Sequence, residues 1–174
     1  MATAIKAVEY RGIRGAVVAE VISDTTEGIE FGTPFALVPT SELTKERETS
    51  SEVHYYDNQP AVNVDADGPD TVNITGAAIP DDVLAKITGQ FYDEELGLFI
   101  EGEREVKDYA LGYITEDTSG EERFVWRMKG RFNIPSSTHN TKDNGTTANG
   151  QQLTYTGVPT LYKFKKRASP KELL

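Results

Sequence analysis

The chain is predicted to be mainly β with one short helix. Three observations predict it. Residues 16–22 are rich in Val and Ile. Several later runs alternate apolar and polar side chains, the period of a half-buried strand. Only one stretch, residues 80–88, carries the start and stop signals of a helix. At 174 residues without Cys, a single domain over 1–174 is expected, large enough to bury a core without disulfides. We find no internal repeat and no interdomain linker.

The elements follow in order. Ala16–Ile22 reads as a strand. Glu30–Val38 reads as two short pieces broken near Pro34, because proline lacks the ladder donor. Residues 42–48 and 51–56 are polar but carry Thr, Val and Tyr, and they suit an extended hairpin arm over 42–58. Residues 61–64 and 71–76 alternate, with Asp65-Ala66-Asp67-Gly68-Pro69-Asp70 between them as a hairpin turn. Pro80 suits a first helical turn, and Asp81 and Asp82 suit the positive end of its dipole. Val83, Leu84 and Ile87 make an apolar face, and Gly89 stops the helix. About ten residues cannot hold a helix alone, so that face packs on the sheet. Strands are expected again at 98–106, 109–114, 123–132, 153–156 and 160–167. The stretch 136–150 has almost no apolar residue and is expected to be a flexible polar loop.

Charge is divided along the chain. Residues 1–120 carry 8 Lys and Arg against 24 Asp and Glu, a net of −16; residues 121–174 carry 10 against 4, a net of +6. In Arg123–Arg131 alternate residues Arg123, Val125, Arg127, Lys129 and Arg131 form a mainly basic stripe, with Phe124, Trp126, Met128 and Phe132 on the opposite, core-facing side. Glu101, Glu103 and Glu105 alternate in the same way, as do Lys163, Lys165 and Arg167. The stripes either pair across strands within one copy or meet unlike faces of another copy. The overall −10 disfavours general affinity for nucleic acid. No long apolar run opens the chain, so neither a signal peptide nor a membrane span is expected.

Reactive constellations are weak. His54 and His139 stand apart from any second His, and a zinc site needs three or four ligands. The Asp65–Asp70 run fails the calcium-loop pattern, because its fifth residue is Pro69 and its sixth is Asp70 rather than Gly. The carboxylates at 93–95 and 101–105 lie in solvated runs with no marked acid–base pair. Ser50 and Ser51 lack a nucleophile-elbow context, and there is no phosphate-binding glycine loop. No enzyme activity and no cofactor are expected. Aromatics opposite the basic stripe do not make a base-stacking platform.

The order of elements resembles a known family. Glu48-Thr49-Ser50, then Tyr55-Tyr56-Asp57-Asn58, a hairpin, and Ile79-Pro80-Asp81-Asp82 opening a helix that ends Ile87-Thr88-Gly89 resemble the major tail proteins of long-tailed, non-contractile bacteriophages. Tyr109-Ala110-Leu111-Gly112-Tyr113, then 123–135, a polar loop and Gln152–Pro159 continue the likeness, which covers about residues 28–164. It rests on order and spacing. It implies a β-sandwich- or barrel-like tail tube fold with one flanking helix. It also implies self-assembly into stacked hexameric rings that conduct DNA without binding it. Tape measure, tail terminator and distal tail proteins are the implied partners. The implied place is the virion, after assembly in the bacterial cytoplasm. The residues expected at the interface between copies are Glu48, Tyr55, Tyr56, Asp57, Asn58, Arg123, Arg127, Lys129 and Arg131. An acidic lining would repel phosphate and let the polymer slide. The competing reading is a carbohydrate- or surface-binding β-sandwich, with Tyr55, Tyr56, Tyr92 and Tyr113 as a sugar platform.

Overall fold

The computed structural model describes residues 9–56, 59–136 and 151–165, and for 50–67 it describes backbone pairing alone. The chain runs β1 (Tyr10–Asp24), β2 (Ile29–Phe31), β3 (Phe35–Ala36), β4 (Thr40–Tyr56) and β5 (Gln59–Gly76). It continues through α1 (Asp81–Thr88), β6 (Phe91–Asp93), β7 (Leu98–Ile100), β8 (Tyr109–Asp117), β9 (Glu122–Phe132) and β10 (Gln151–Gly157). Eight strands form one antiparallel sheet in the order β2-β1-β8-β9-β10-β5-β4, with β3 also on β1. β6 and β7 form a separate two-stranded hairpin. The fold is therefore mainly β with one short helix, as the alternation patterns predict.

The sheet curls until β1 and β4 line the two sides of one cavity. Its concave side holds the core. Val18, Val72, Ile74, Leu111, Leu153 and Tyr155 are fully buried there. Each such aliphatic side chain contributes about 1.5–3 kcal/mol on leaving water. α1 closes one end, burying Ala85 and Ile87 next to Ile79. Asp81 and Asp82 occupy its first turn and Lys86 its last. Gly89, at φ 74°, ends it in the left-handed conformation and returns its N–H to the Ala85 carbonyl. The Tyr109 hydroxyl donates to the Lys86 carbonyl, which ties the helix to β8. Burial, and then the nearby Glu20 and Glu105, push that phenol up to about 12.

Gly130 governs how β9 joins the core. The register between β8 and β9 shifts between Tyr109↔Gly130 and Leu111↔Arg127, a bulge of one extra residue on β9. A side chain at Gly130 would overlap the ring of Tyr155, at 2.4 Å from Cζ. Without one, Tyr155 lies fully buried across the strand, and its hydroxyl donates to the Tyr109 carbonyl at 2.8 Å. The bulge also explains how both Val125 and Phe132, seven positions apart, reach the concave side.

Three strand expectations are corrected. The Asp65–Asp70 stretch is not a turn: β4 and β5 pair continuously from Thr40↔Gly76 to Tyr56↔Gln59, so one long hairpin replaces two short ones. Gly68 and Pro69 are accommodated by a bulge between Arg47↔Asp70 and Thr49↔Asp67, where the missing proline donor is tolerated. The strand expected over 98–106 ends at Ile100, because β6 offers only three partners. Glu101, Glu103 and Glu105 therefore share no strand face. β6 itself went unrecognised in the sequence. The described part of 160–167 forms no strand: the N–H groups of Leu161 and Tyr162 bond the Asp24 carboxylate instead of a ladder. The loop expected at 136–150 lies almost wholly outside the described residues; Ser136 bridges Gln152.

Candidate self-assembly surface

The β4–β5 hairpin supplies the most distinctive surface. β10 supports β5 only along Asp70–Gly76. From Thr49↔Asp67 outward, among the described residues, the two strands pair only with each other. That ribbon reaches about 25 Å past the body at the usual strand rise. An isolated two-stranded ribbon is marginal in water. Among the described residues β4 is also the last strand of the sheet, and no further strand pairs with its outer edge. Glu48 is exposed at the bulge where the ribbon leaves the body. Tyr55 and Tyr56 pair with Pro60 and Gln59 at its outer end. Asp57 and Asn58 lie outside the described residues.

Three of the four cations of the basic stripe, Arg127, Lys129 and Arg131, pair with carboxylates of the same copy. Arg123 is exposed and donates to the Tyr10 hydroxyl at 2.6 Å. The Arg127 side chain is only 11% exposed and its Nη1 pairs with the Asp70 carboxylate. Burial pulls this guanidinium below its ordinary value, with the neighbouring Arg47 charge acting in the same direction. Among the described residues, Arg127 Nε and Asp70 Oδ1 are buried without a hydrogen-bond partner. Lys129 Nζ lies 2.9 Å from Asp24 and 3.6 Å from Asp108. Arg131 Nε meets Asp108 at 2.6 Å. The hydrogen bond that Lys129 donates to Asp24 raises the pKa of Lys129, and the one that Arg131 donates to Asp108 raises that of Arg131. The backbone N–H of Leu161, with help from Lys129, holds Asp24 below the usual carboxylate range. The acidic and basic parts of the sequence thus meet inside one copy along this stripe.

The aromatic side of β9 is the reverse of what alternation alone implies. Phe124 is 66% exposed and Trp126 45% exposed. The core expectation for both is corrected. The concave side is taken by Val125, with Arg127 beside Val125 in the wall of the inner cavity. Trp126 instead lies on the outer face over Gly112, whose missing side chain leaves room for the indole. Ala19, Ala110, Phe31, Pro34 and Met128 line an apolar hollow with it. Among the described residues no second layer covers this face. The signal that misled is simple: a curled sheet with apolar residues on both faces gives the same period as a half-buried one.

The remaining chemistry is sparse. Among the described residues no three of His, Cys, Asp and Glu gather as metal ligands. Asp70 serves Arg127, and the side chains of Asp65, Asp67, His54, Tyr55 and Tyr56 lie outside the description, as does His139. Tyr113 is buried in the core while Tyr92 sits half-buried on the separate hairpin, so these two do not share an exposed platform. Among the described residues no helix is long and apolar enough to cross a membrane. No family model matches the chain, and no match was found among curated proteins or solved structures.

Proposed function

We propose that this chain is a structural subunit of a phage tail tube, built to assemble with copies of itself. One observation carries the reading: the β4–β5 ribbon, which extends past the support of β10. A ribbon of that length, flanked by no other strand among the described residues, is of the kind that gains stability from another copy. The outer sheet face around Trp126 and Phe124 adds an uncovered apolar surface of the kind that marks contact with a partner. The open edge of β4 adds a third. Three different surfaces favour heterologous contacts, which generate rings or filaments and not closed pairs.

In this reading the rings are hexameric and stack into a tube, with tape measure, terminator and distal tail proteins at its ends. DNA passes through without binding, repelled by the overall acidic charge. The intrachain pairing of Arg127, Lys129 and Arg131 moves the burden of recognition away from that stripe and onto the arm, the apolar face and the unpaired charges. Negative-stain microscopy of the concentrated full-length chain tests the proposal. Annular rings or tubes with an axial channel support it. Single particles at every concentration and salt, with no growth on added tail tips, reject it.

A further inference from the structure

A cavity of about 540 Å³ opens between β1, β8 and β9 on one side and the base of β4 on the other. Its floor is apolar, with Ile13, Leu43 and Val125 half-buried beside the buried ring of Tyr113. Its rim carries Lys45 and Arg123 together with Tyr10, while Arg127, paired with Asp70, lies in the wall. Lys45 is exposed and has no ion pair among the described residues. Thr115 Oγ1 is buried in the wall without a hydrogen-bond partner there. The cavity therefore suits an apolar group held in an acidic collar.

The same chain presents that shape elsewhere. β6 and β7 stand apart from the main sheet. Their paired positions Phe91↔Ile100 and Asp93↔Leu98 put Phe91, Leu98 and Ile100 on one exposed apolar face. At the tip, Asp93 Oδ1 accepts the N–H groups of Glu95 and Leu96, which fixes the turn. Leu96 projects from it at 76% exposure, flanked by exposed Glu94 and Glu95. None of these tip residues lines the cavity of its own copy.

We propose that the β6–β7 tip of one copy seats in the β1–β4 cavity of the next, Leu96 against the apolar floor and Glu94 and Glu95 against Lys45 and Arg123. The contact is heterologous, so it propagates from copy to copy. The proposal rests on the self-assembly reading and names the surfaces that meet.

Paired charge reversals in the full-length chain test it. One variant carries Lys45→Glu and Arg123→Glu; the other carries Glu94→Lys and Glu95→Lys. Association is read by sedimentation velocity at low salt, with circular dichroism checking that each variant folds. Each variant alone is expected to associate at least about tenfold more weakly than wild type, because tip and cavity then carry like charge. An equimolar mixture is expected to regain association, since each reversed tip finds an oppositely charged cavity on the other variant. Variants that fold and associate as tightly as wild type overturn this docking while leaving self-assembly standing. A wild-type chain that never associates, alone or on added tail tips, overturns both. A monomeric chain in which inorganic phosphate shields Lys45 from acetylation assigns the cavity to a small anion and also overturns the docking.

Discussion

Arg127 on β9 and Asp70 on β5 form an ion pair that bridges the strand between them, where β10 carries Gly157. Gly157 is in register with both Asp70 and Gly130, and it offers no side chain to obstruct the bridge. This link fastens the root of the β4–β5 ribbon to the centre of the sheet. Removing one partner leaves a charge in a half-buried site, and that costs more than the pair contributes.

Arg127→Met is accordingly expected to lower stability by about 3 kcal/mol, because Asp70 is left uncompensated. Adding Asp70→Leu to the same chain should recover most of that loss. Urea unfolding of the wild type and the two variants checks it. Equal losses for the single and the double variant contradict an intrachain role. Arg127→Glu sets two carboxylates against each other, so the structure expects it to act on folding before assembly.

Tyr155 and Gly130 make a second pair of linked residues. Gly130→Ala places a methyl group against the buried Tyr155 ring and the Thr156 carbonyl, at 2.4 and 2.5 Å. A loss of about 2–3 kcal/mol is expected from overpacking. Gly112→Ala also meets an aromatic ring, that of Trp126, but this ring is 45% exposed and can swing outward. The cost there should be distinctly smaller. Thermal unfolding that ranks the two variants in the opposite order contradicts the assignment of faces.

The pH response centres on Asp24. Its side chain is 4% exposed. It accepts the Leu161 and Tyr162 N–H groups at 3.0–3.2 Å and pairs with Lys129. These bonds, Leu161 first, depress it below its ordinary value of 3.8. The folded chain therefore holds that proton less tightly than the unfolded chain. The resulting stabilisation is complete above the ordinary carboxylate value and is lost as pH falls through the depressed one. Amide exchange at Leu161 and Tyr162 is expected to quicken over that acidic window, and Asp24→Asn should quicken it at neutral pH. Unchanged exchange in Asp24→Asn contradicts the anchor.

How far the sequence foretold this arrangement depends on what each signal measures. Alternation located β8, β9 and β10, because burial on one face is a local pattern. Capping chemistry placed α1 within a residue, since Pro80, Asp81 and Gly89 act on their own neighbours. The β4–β5 register was hidden. Gly68-Pro69 reads as a turn until a bulge opposite Glu48 absorbs it. The faces of β9 were hidden as well. Which side of an amphipathic strand turns inward is decided by the curl of the whole sheet and by the bulge before Gly130, neither of which is local. The basic stripe was legible as residues but not as a surface, because Asp24, Asp70 and Asp108 come to it from distant parts of the chain.

The outer sheet face provides a further test. Phe124 is 66% exposed and contributes little to the core. Phe124→Ser is expected to leave stability within about 0.5 kcal/mol of wild type. If this face meets another copy, the same change should weaken association, and Trp126, the one Trp in the chain, should shift its emission to the blue on assembly. Assembly with no change in Trp126 emission would place the contact elsewhere.

The most direct measurement is sedimentation velocity of the wild-type chain over a rising concentration series at low and high salt. Unlike surfaces on identical copies predict an open series of species beyond the dimer that shrinks as salt rises. A single monomer boundary throughout, with no growth on added tail tips, or a series that stops at a symmetric dimer, contradicts the account.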